Sequence, residues 1–156
     1  MLSFIIPGRE TFEIEHVVLD FNGTFACDGK ILPGVRERLN ALAEQVTVHI
    51  FTADTFGTAR EACAGIRAQV VVTPQPVVGP AKEEYVVNLG AERTAAIGNG
   101  ANDVLMLQRA KLAIVVLGPE GTALEALLAA DVVVKEINDG LELLLNPKRL
   151  AATLRR

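Results

Sequence analysis

Short runs of β-branched and aliphatic residues alternate with segments of helical period along almost the whole chain, and this alternation constrains the fold more than any other feature of the sequence. His16-Val17-Val18-Leu19-Asp20 is brief and nearly free of charge until its last residue, as a strand is when both of its faces are covered. Comparable runs lie at 46–51, 68–73, 94–97, 112–117 and 131–134, and the segments 34–45, 55–65, 80–89, 103–110, 121–129 and 138–145 read as helices. In 34–45, for instance, Val35, Leu39 and Leu42 fall on one helical face. The series predicts an α/β fold: a three-layer, doubly wound, mostly parallel sheet with helices on both faces and right-handed crossovers. Residues 147–156 are expected to form a short helix or tail. Residues 1–15, with Pro7-Gly8-Arg9-Glu10 at the bend, are expected to form a hairpin or an edge strand.

Composition sets the outer limits. A chain of 156 residues is expected to form a single domain, 1–156, with one core. Half of it is hydrophobic and only 4% is aromatic, which suits a helix-covered parallel sheet and argues against disorder. A formal net charge of −4 leaves no general footprint for nucleic acid, and Lys148, Arg149, Arg155 and Arg156 read as the solvated end of a helix. No stretch approaches the ~18 uninterrupted apolar residues of a membrane span, and the N-terminus lacks the pattern of a secretory signal. Cys27 and Cys63 are too few and too far apart for a metal motif or a disulfide framework, so a reducing, cytoplasmic setting is expected. His16 and His49 fall inside strand runs and read as structural.

Ligands of parallel sheets sit beyond the carboxyl ends of the strands. The residues at those ends are Asp20-Phe21-Asn22-Gly23-Thr24, Thr52-Ala53-Asp54, Lys82 at the start of a helix, and Gly98-Asn99-Gly100-Ala101-Asn102-Asp103; the proline-stiffened loop 73–80 lies near the same edge. Taken singly, each has an ordinary role: a turn-forming Asp, a capping Thr, a solvated Lys, an N-cap Asn followed by an Asp at a helix N-terminus. Taken together they gather one kind of chemistry. The carboxylate of Asp20 can attack phosphorus, Lys82 can neutralise charge, and Thr52 and backbone N–H groups can donate to phosphoryl oxygens. A divalent cation can bridge carboxylate and phosphate, and with Asp and Asn oxygens but no His or Cys cluster the expected ion is Mg²⁺.

This ordered set resembles the haloacid dehalogenase-like superfamily, whose motifs are an Asp-x-Asp-Gly-Thr-like first loop, a Thr or Ser, a Lys, and a Gly-Asp-Gly-x-Asn-Asp-like fourth loop. The resemblance runs from about residue 16 to about residue 145. Within the superfamily the nearest likeness is to the phosphorylation domain of P-type ATPases and its small soluble relatives. Thr52-Ala53-Asp54 is similar to their Thr-Gly-Asp loop, and 129–134 followed by Asn138-Asp139-Gly140-Leu141 is similar to their closing strand and helix. With no nucleotide-binding insertion and no membrane helices, the chain does not read as a pump. The resemblance implies Mg²⁺-dependent phosphohydrolase or phosphotransferase activity through an aspartyl-phosphate on Asp20, acting on a phosphorylated substrate. It implies catalytic roles for Asp20, Asn22, Thr52 and Lys82, and substrate contacts from Gly23, Thr52, Ala53, Lys82 and Asn102. It places metal at Asp20, the Asn22 backbone carbonyl, Asn99 and Asp103.

Two positions depart from the pattern. Asn22 stands where phosphatases of the superfamily carry an acid–base aspartate, so help typically worth ~10²–10⁴-fold is missing. Asn99 replaces the first carboxylate of the fourth motif. Slow turnover is one expectation; a binding or regulatory protein that kept the fold is the alternative, and a response-regulator receiver fits less well because its acidic residues are distributed differently over the strands. Neither customary cap-insertion site is occupied, which leaves an open pocket beside a short flap at 25–32. A homo-oligomer that closes the pocket, through the flap or the 73–80 loop, is expected, or else a large substrate.

Overall fold

The computed structural model describes residues 1–53, 57–73 and 76–156. The chain opens with β1 (Leu2–Phe4) and β2 (Phe12–Ile14), an antiparallel hairpin that forms its own two-stranded sheet, with Leu2 opposite Ile14. The first core strand is β3 (His16–Asp20), followed by β4 (Ala26–Cys27) and β5 (Lys30–Ile31), then α1 (Val35–Leu42) and β6 (Thr47–Thr52). Next come α2 (Ala59–Ala62), β7 (Gln69–Val72), α3 (Gly79–Leu89) and β8 (Thr94–Gly98). A 3₁₀ turn over Ala101–Asp103 leads into α4 (Val104–Arg109), and β9 (Leu112–Val116), α5 (Leu124–Ala129), β10 (Val132–Val134), α6 (Ile137–Leu145) and α7 (Pro147–Leu154) complete the chain.

Six strands form one sheet in the order β10-β9-β8-β3-β6-β7, and every pairing in it is parallel. The N-terminal hairpin stays outside this sheet, so of the two readings of 1–15 the hairpin holds and the edge strand does not. Residues 55 and 56 of the expected 55–65 helix lie outside the described residues; the described helix is Ala59–Ala62. The helix expected from 121 begins only at Leu124, after a loop that packs on the site.

The two faces of the sheet bury separate apolar layers. Val17, Leu19, Ile50, Ile97 and Ile114 pack with the hairpin residues Phe4 and Ile14, with Leu39 of α1 and with Leu141 of α6. On the other side Val18, Phe51, Ala96 and Val115 meet Val86, Met106 and Ala126 from α3, α4 and α5. Full burial of one such aliphatic side chain is worth ~1.5–3 kcal/mol, which is why near-continuous apolar runs settle in the middle layer. Among the described residues no helix is long and apolar enough to cross a membrane.

The strand order positions the site. From β3 the chain winds outward through β6 to β7, then α3 carries it back across the sheet to β8 on the other side of β3. The order therefore reverses between β3 and β8, the topological switch point at which open α/β sheets bind ligands. Asp20 ends β3, Gly98 ends β8, and Asp20 pairs in register with Phe51, one residue before Thr52.

Candidate active site

Lys82, in the first turn of α3, is drawn wholly beneath the surface, with its side chain 1% exposed. A buried ammonium must be paired and fully hydrogen-bonded. Its Nζ donates to Asp20 Oδ1 at 2.7 Å, to Asp103 Oδ1 at 2.7 Å and to Asn102 Oδ1 at 3.2 Å, which engages all three of its protons. Burial disfavours the charged ammonium, but the charges of Asp20 and Asp103 and their hydrogen bonds outweigh it, and the pKa lies above its ordinary value.

Asp103 is fully buried, and its second oxygen accepts the backbone N–H groups of Asn99 at 2.9 Å and Gly100 at 3.0 Å. Both oxygens are thus spent on protein donors. Asp103 fixes Lys82 and the turn after β8, and it lies behind the pocket lining rather than in it. Its close fit depends on Gly98, where an added Cβ would stand 2.5 Å from Asp103 Cγ.

Asp20 is the one carboxylate of the cluster that reaches the pocket, with 13% of its side chain exposed. Burial and then the charge of Asp103 push its carboxyl up to about 7, against the opposing action of Lys82 and the Phe21 N–H. Two carboxylates share one ammonium here, so the cluster is a positive charge short when both are ionised. Thr24, fully buried, directs its hydroxyl at Asp20 Oδ2 (3.3 Å) and Asn99 Oδ1 (3.2 Å), linking the loops after β3 and β8.

The turn after β3 is built around Phe21, whose carbonyl accepts the N–H groups of Thr24, Phe25 and Ala26. Gly23 takes a φ of +83°, and an added Cβ there would meet Asn99 Nδ2 at 2.5 Å and Glu120 Oε2 at 2.9 Å. Asn22 lines the pocket, and its Oδ1 accepts the Gly29 N–H at 3.0 Å, tying the site to the β4–β5 flap. The flap closes on Asp28-Gly29, both with positive φ, as a two-residue hairpin turn requires. Thr52, Ala53 and Asn102 line the same pocket of about 250 Å³, whereas Asp54 lies outside the described residues.

The structure therefore gathers Asp20, Asn22, Gly23, Thr52, Ala53, Lys82, Asn99, Asn102 and Asp103 at one sheet edge. Two participants went unrecognised in the sequence. Thr24 sits four residues after Asp20, and its position in that motif is the signal that could have found it. Glu120 lines the pocket from the loop after β9, within Gly118-Pro119-Glu120-Gly121, a composition that marks only a turn. Among the described residues no three His, Cys, Asp or Glu side chains converge as a metal cluster. Among the described residues the oxygen-bearing side chains that line the pocket are the carboxylates of Asp20 and Glu120, the Thr52 hydroxyl and the amides at 22, 99 and 102, a hard-donor set, which suits a hard divalent ion that retains much of its water.

Strand order, switch-point carboxylate and buried lysine together define the fold of the haloacid dehalogenase-like superfamily, with no cap domain among the described residues. No family model matches the chain. It belongs to the same family as the uncharacterized protein MJ0073 of Methanocaldococcus jannaschii, to which it is 53% identical over 64 residues, 41% of this chain and 69% of that protein. Among solved structures, the 3-deoxy-D-manno-octulosonate 8-phosphate phosphatase of Moraxella catarrhalis, determined with magnesium, phosphate and the sugar acid, superposes with a TM-score of 0.71 at 16% identity, covering 91% of this chain and 94% of that one. The cobalt-bound deoxy-D-mannose-octulosonate 8-phosphate phosphatase of Haemophilus influenzae gives a TM-score of 0.71 at 14% identity, covering 92% of this chain and 94% of that one.

Proposed function

We propose that this chain is a phosphohydrolase or phosphotransferase that works through an aspartyl-phosphate on Asp20, with a divalent cation, Mg²⁺, as cofactor. The observation that carries the reading is the 2.7 Å contact between Asp20 and the buried Lys82 at the switch point of the sheet. Phosphatases with this fold over nearly the whole chain, one of them holding magnesium and phosphate, add support.

The residues divide the work as follows. Lys82, held by Asp103, keeps one oxygen of Asp20 in place and offsets negative charge as phosphate approaches. The other oxygen, Oδ2, attacks phosphorus, the bond from phosphorus to the leaving oxygen breaks, and the phosphoryl group passes to the carboxylate. Water then attacks the acyl phosphate at phosphorus, releasing inorganic phosphate and restoring Asp20. Asp20, the Asn22 carbonyl and Asn99 are the groups that would hold the cation, which when bound neutralises carboxylate and phosphate oxygens. Asn22 cannot give the leaving oxygen a proton, so the favoured substrates are those whose leaving group departs as an anion, such as acyl or aryl phosphates.

The rival reading, a binding or regulatory protein, draws on the amides at 22 and 99 and on the engagement of all three Lys82 protons. Incubation with acetyl phosphate and Mg²⁺ separates the two. The enzyme reading expects phosphate release or an adduct of about 80 Da, the mass of HPO₃ added on covalent catalysis, and neither in Asp20→Asn. Neither in the wild type would leave the binding reading.

A further inference from the structure

The loop after β9 is docked onto the site by the residue that departs from the family pattern. Asn99 Nδ2 donates to Gly121 O at 3.0 Å, and Ala123 N donates to Asn99 O at 2.9 Å. Gly118 lies so close to the turn after β3 that an added Cβ would be 2.9 Å from Gly23 O. These contacts bring Glu120 to the pocket, with its Oε2 beside Gly23 and next to the Asn99 amide. An aspartate at 99 could not donate to Gly121, and it would set a second carboxylate against Glu120 across Gly23. The amide at 99 therefore gives up one negative charge and, through the same side chain, holds another nearby.

We infer that Glu120 is the second carboxylate of the cation site, standing in for the one that Asn99 lacks and acting on the hydrated ion through its waters. The inference rests on the divalent-cation reading above. Asp103 is fully buried and does not line the pocket, and among the described residues Asp20 and Glu120 are the carboxylates that do; divalent ions of this size are usually held by one or two carboxylates and keep several waters. Glu120, Asp20 and Asp103 do not converge into a three-ligand cage.

Titration calorimetry with Mg²⁺ alone, with no substrate present, tests the assignment. Glu120→Gln changes an exposed side chain and should fold as the wild type does, with Mg²⁺ affinity lowered at least about tenfold, as for loss of a group that supports a metal through its ligands. Asn99→Asp with Glu120→Gln moves the carboxylate back to 99 and should bind more tightly than Glu120→Gln alone. If Asp20→Asn abolishes binding while Glu120→Gln binds like the wild type, this assignment falls and the cation reading stands. A double variant no tighter than Glu120→Gln also overturns it. A wild-type protein that takes up no Mg²⁺ overturns both.

Discussion

Replacing His49 with Gln should make the protein gain stability on acidification, where the wild type responds little. His49 is only 2% exposed in the middle of β6, where Nδ1 lies 2.8 Å from the Tyr85 hydroxyl and Nε2 lies 3.2 Å from His16 Nδ1. Burial, helped by the charge of His16, lowers its pKa from 6.5 to about 4. The folded state thus refuses a proton that the unfolded chain accepts, so the stability His49 contributes is present above 6.5 and is lost as the pH falls to about 4. That difference corresponds to about 3 kcal/mol. Asp20 pulls the other way: its carboxyl is raised from 3.8 to about 7, so its contribution is present below 3.8 and is lost as the pH rises through about 7. Between about 4 and 6.5 the two slopes oppose each other, and the curve of the wild-type protein, free of divalent cation, should be shallow there. Urea unfolding at steps across that range, in chelator, exposes each part. His49→Gln should gain stability on acidification relative to the wild type, and Asp20→Asn should lose it. If the wild type and His49→Gln differ by a constant amount at every pH, His49 titrates alike in both states and the reasoning is refuted.

Asn22→Asp restores an ionisable carboxyl that can still accept the Gly29 N–H, so aryl phosphate turnover at saturating Mg²⁺ should rise by up to ~10²–10⁴-fold, and adding Asp20→Asn should abolish it. Unchanged turnover in a folded variant would mean that proton donation does not limit the site. Gly98→Ala forces a methyl group into Asp103 and should cost ~1–3 kcal/mol or more in urea unfolding, with loss of Mg²⁺ binding; a variant as stable as the wild type would contradict the close packing. Sedimentation equilibrium should give at least twice 16.7 kDa, through an interface that covers exposed Leu124 and Leu128 rather than the flap, whose Phe25 and Ala26 turn inward. Leu128→Glu should then release monomers, and a wild-type monomer would leave a large substrate as the explanation of the open pocket.

The fold was legible because buried parallel strands need apolar runs that loops and amphipathic helices do not share. The six core strands fall within a residue or two of the runs read from sequence, from His16–Asp20 to Val132–Val134. Period alone could not say that β1 and β2 pair only with each other, since short alternating strands look the same at a sheet edge and in a separate hairpin. For the site, sequence order indicated which residues share an edge but not how deep each lies. Asp103 illustrates this: its motif position suggests a metal ligand, and only the structure shows it behind the pocket lining, hydrogen-bonded to Lys82, Asn99 and Gly100. Glu120 was beyond reach for a different reason, because it enters through hydrogen bonds made by its neighbour Gly121 and has no motif of its own.

The immobility of Lys82 has a thermodynamic consequence for any anion that enters the pocket. A solvated lysine loses up to ~1.5–2 kcal/mol of rotamer entropy when a ligand pins it. In this chain three hydrogen bonds already pin it, so that loss belongs to folding and not to association. The pocket meets its ligand with a stationary charge, and the entropy of binding is left to the ligand and its water.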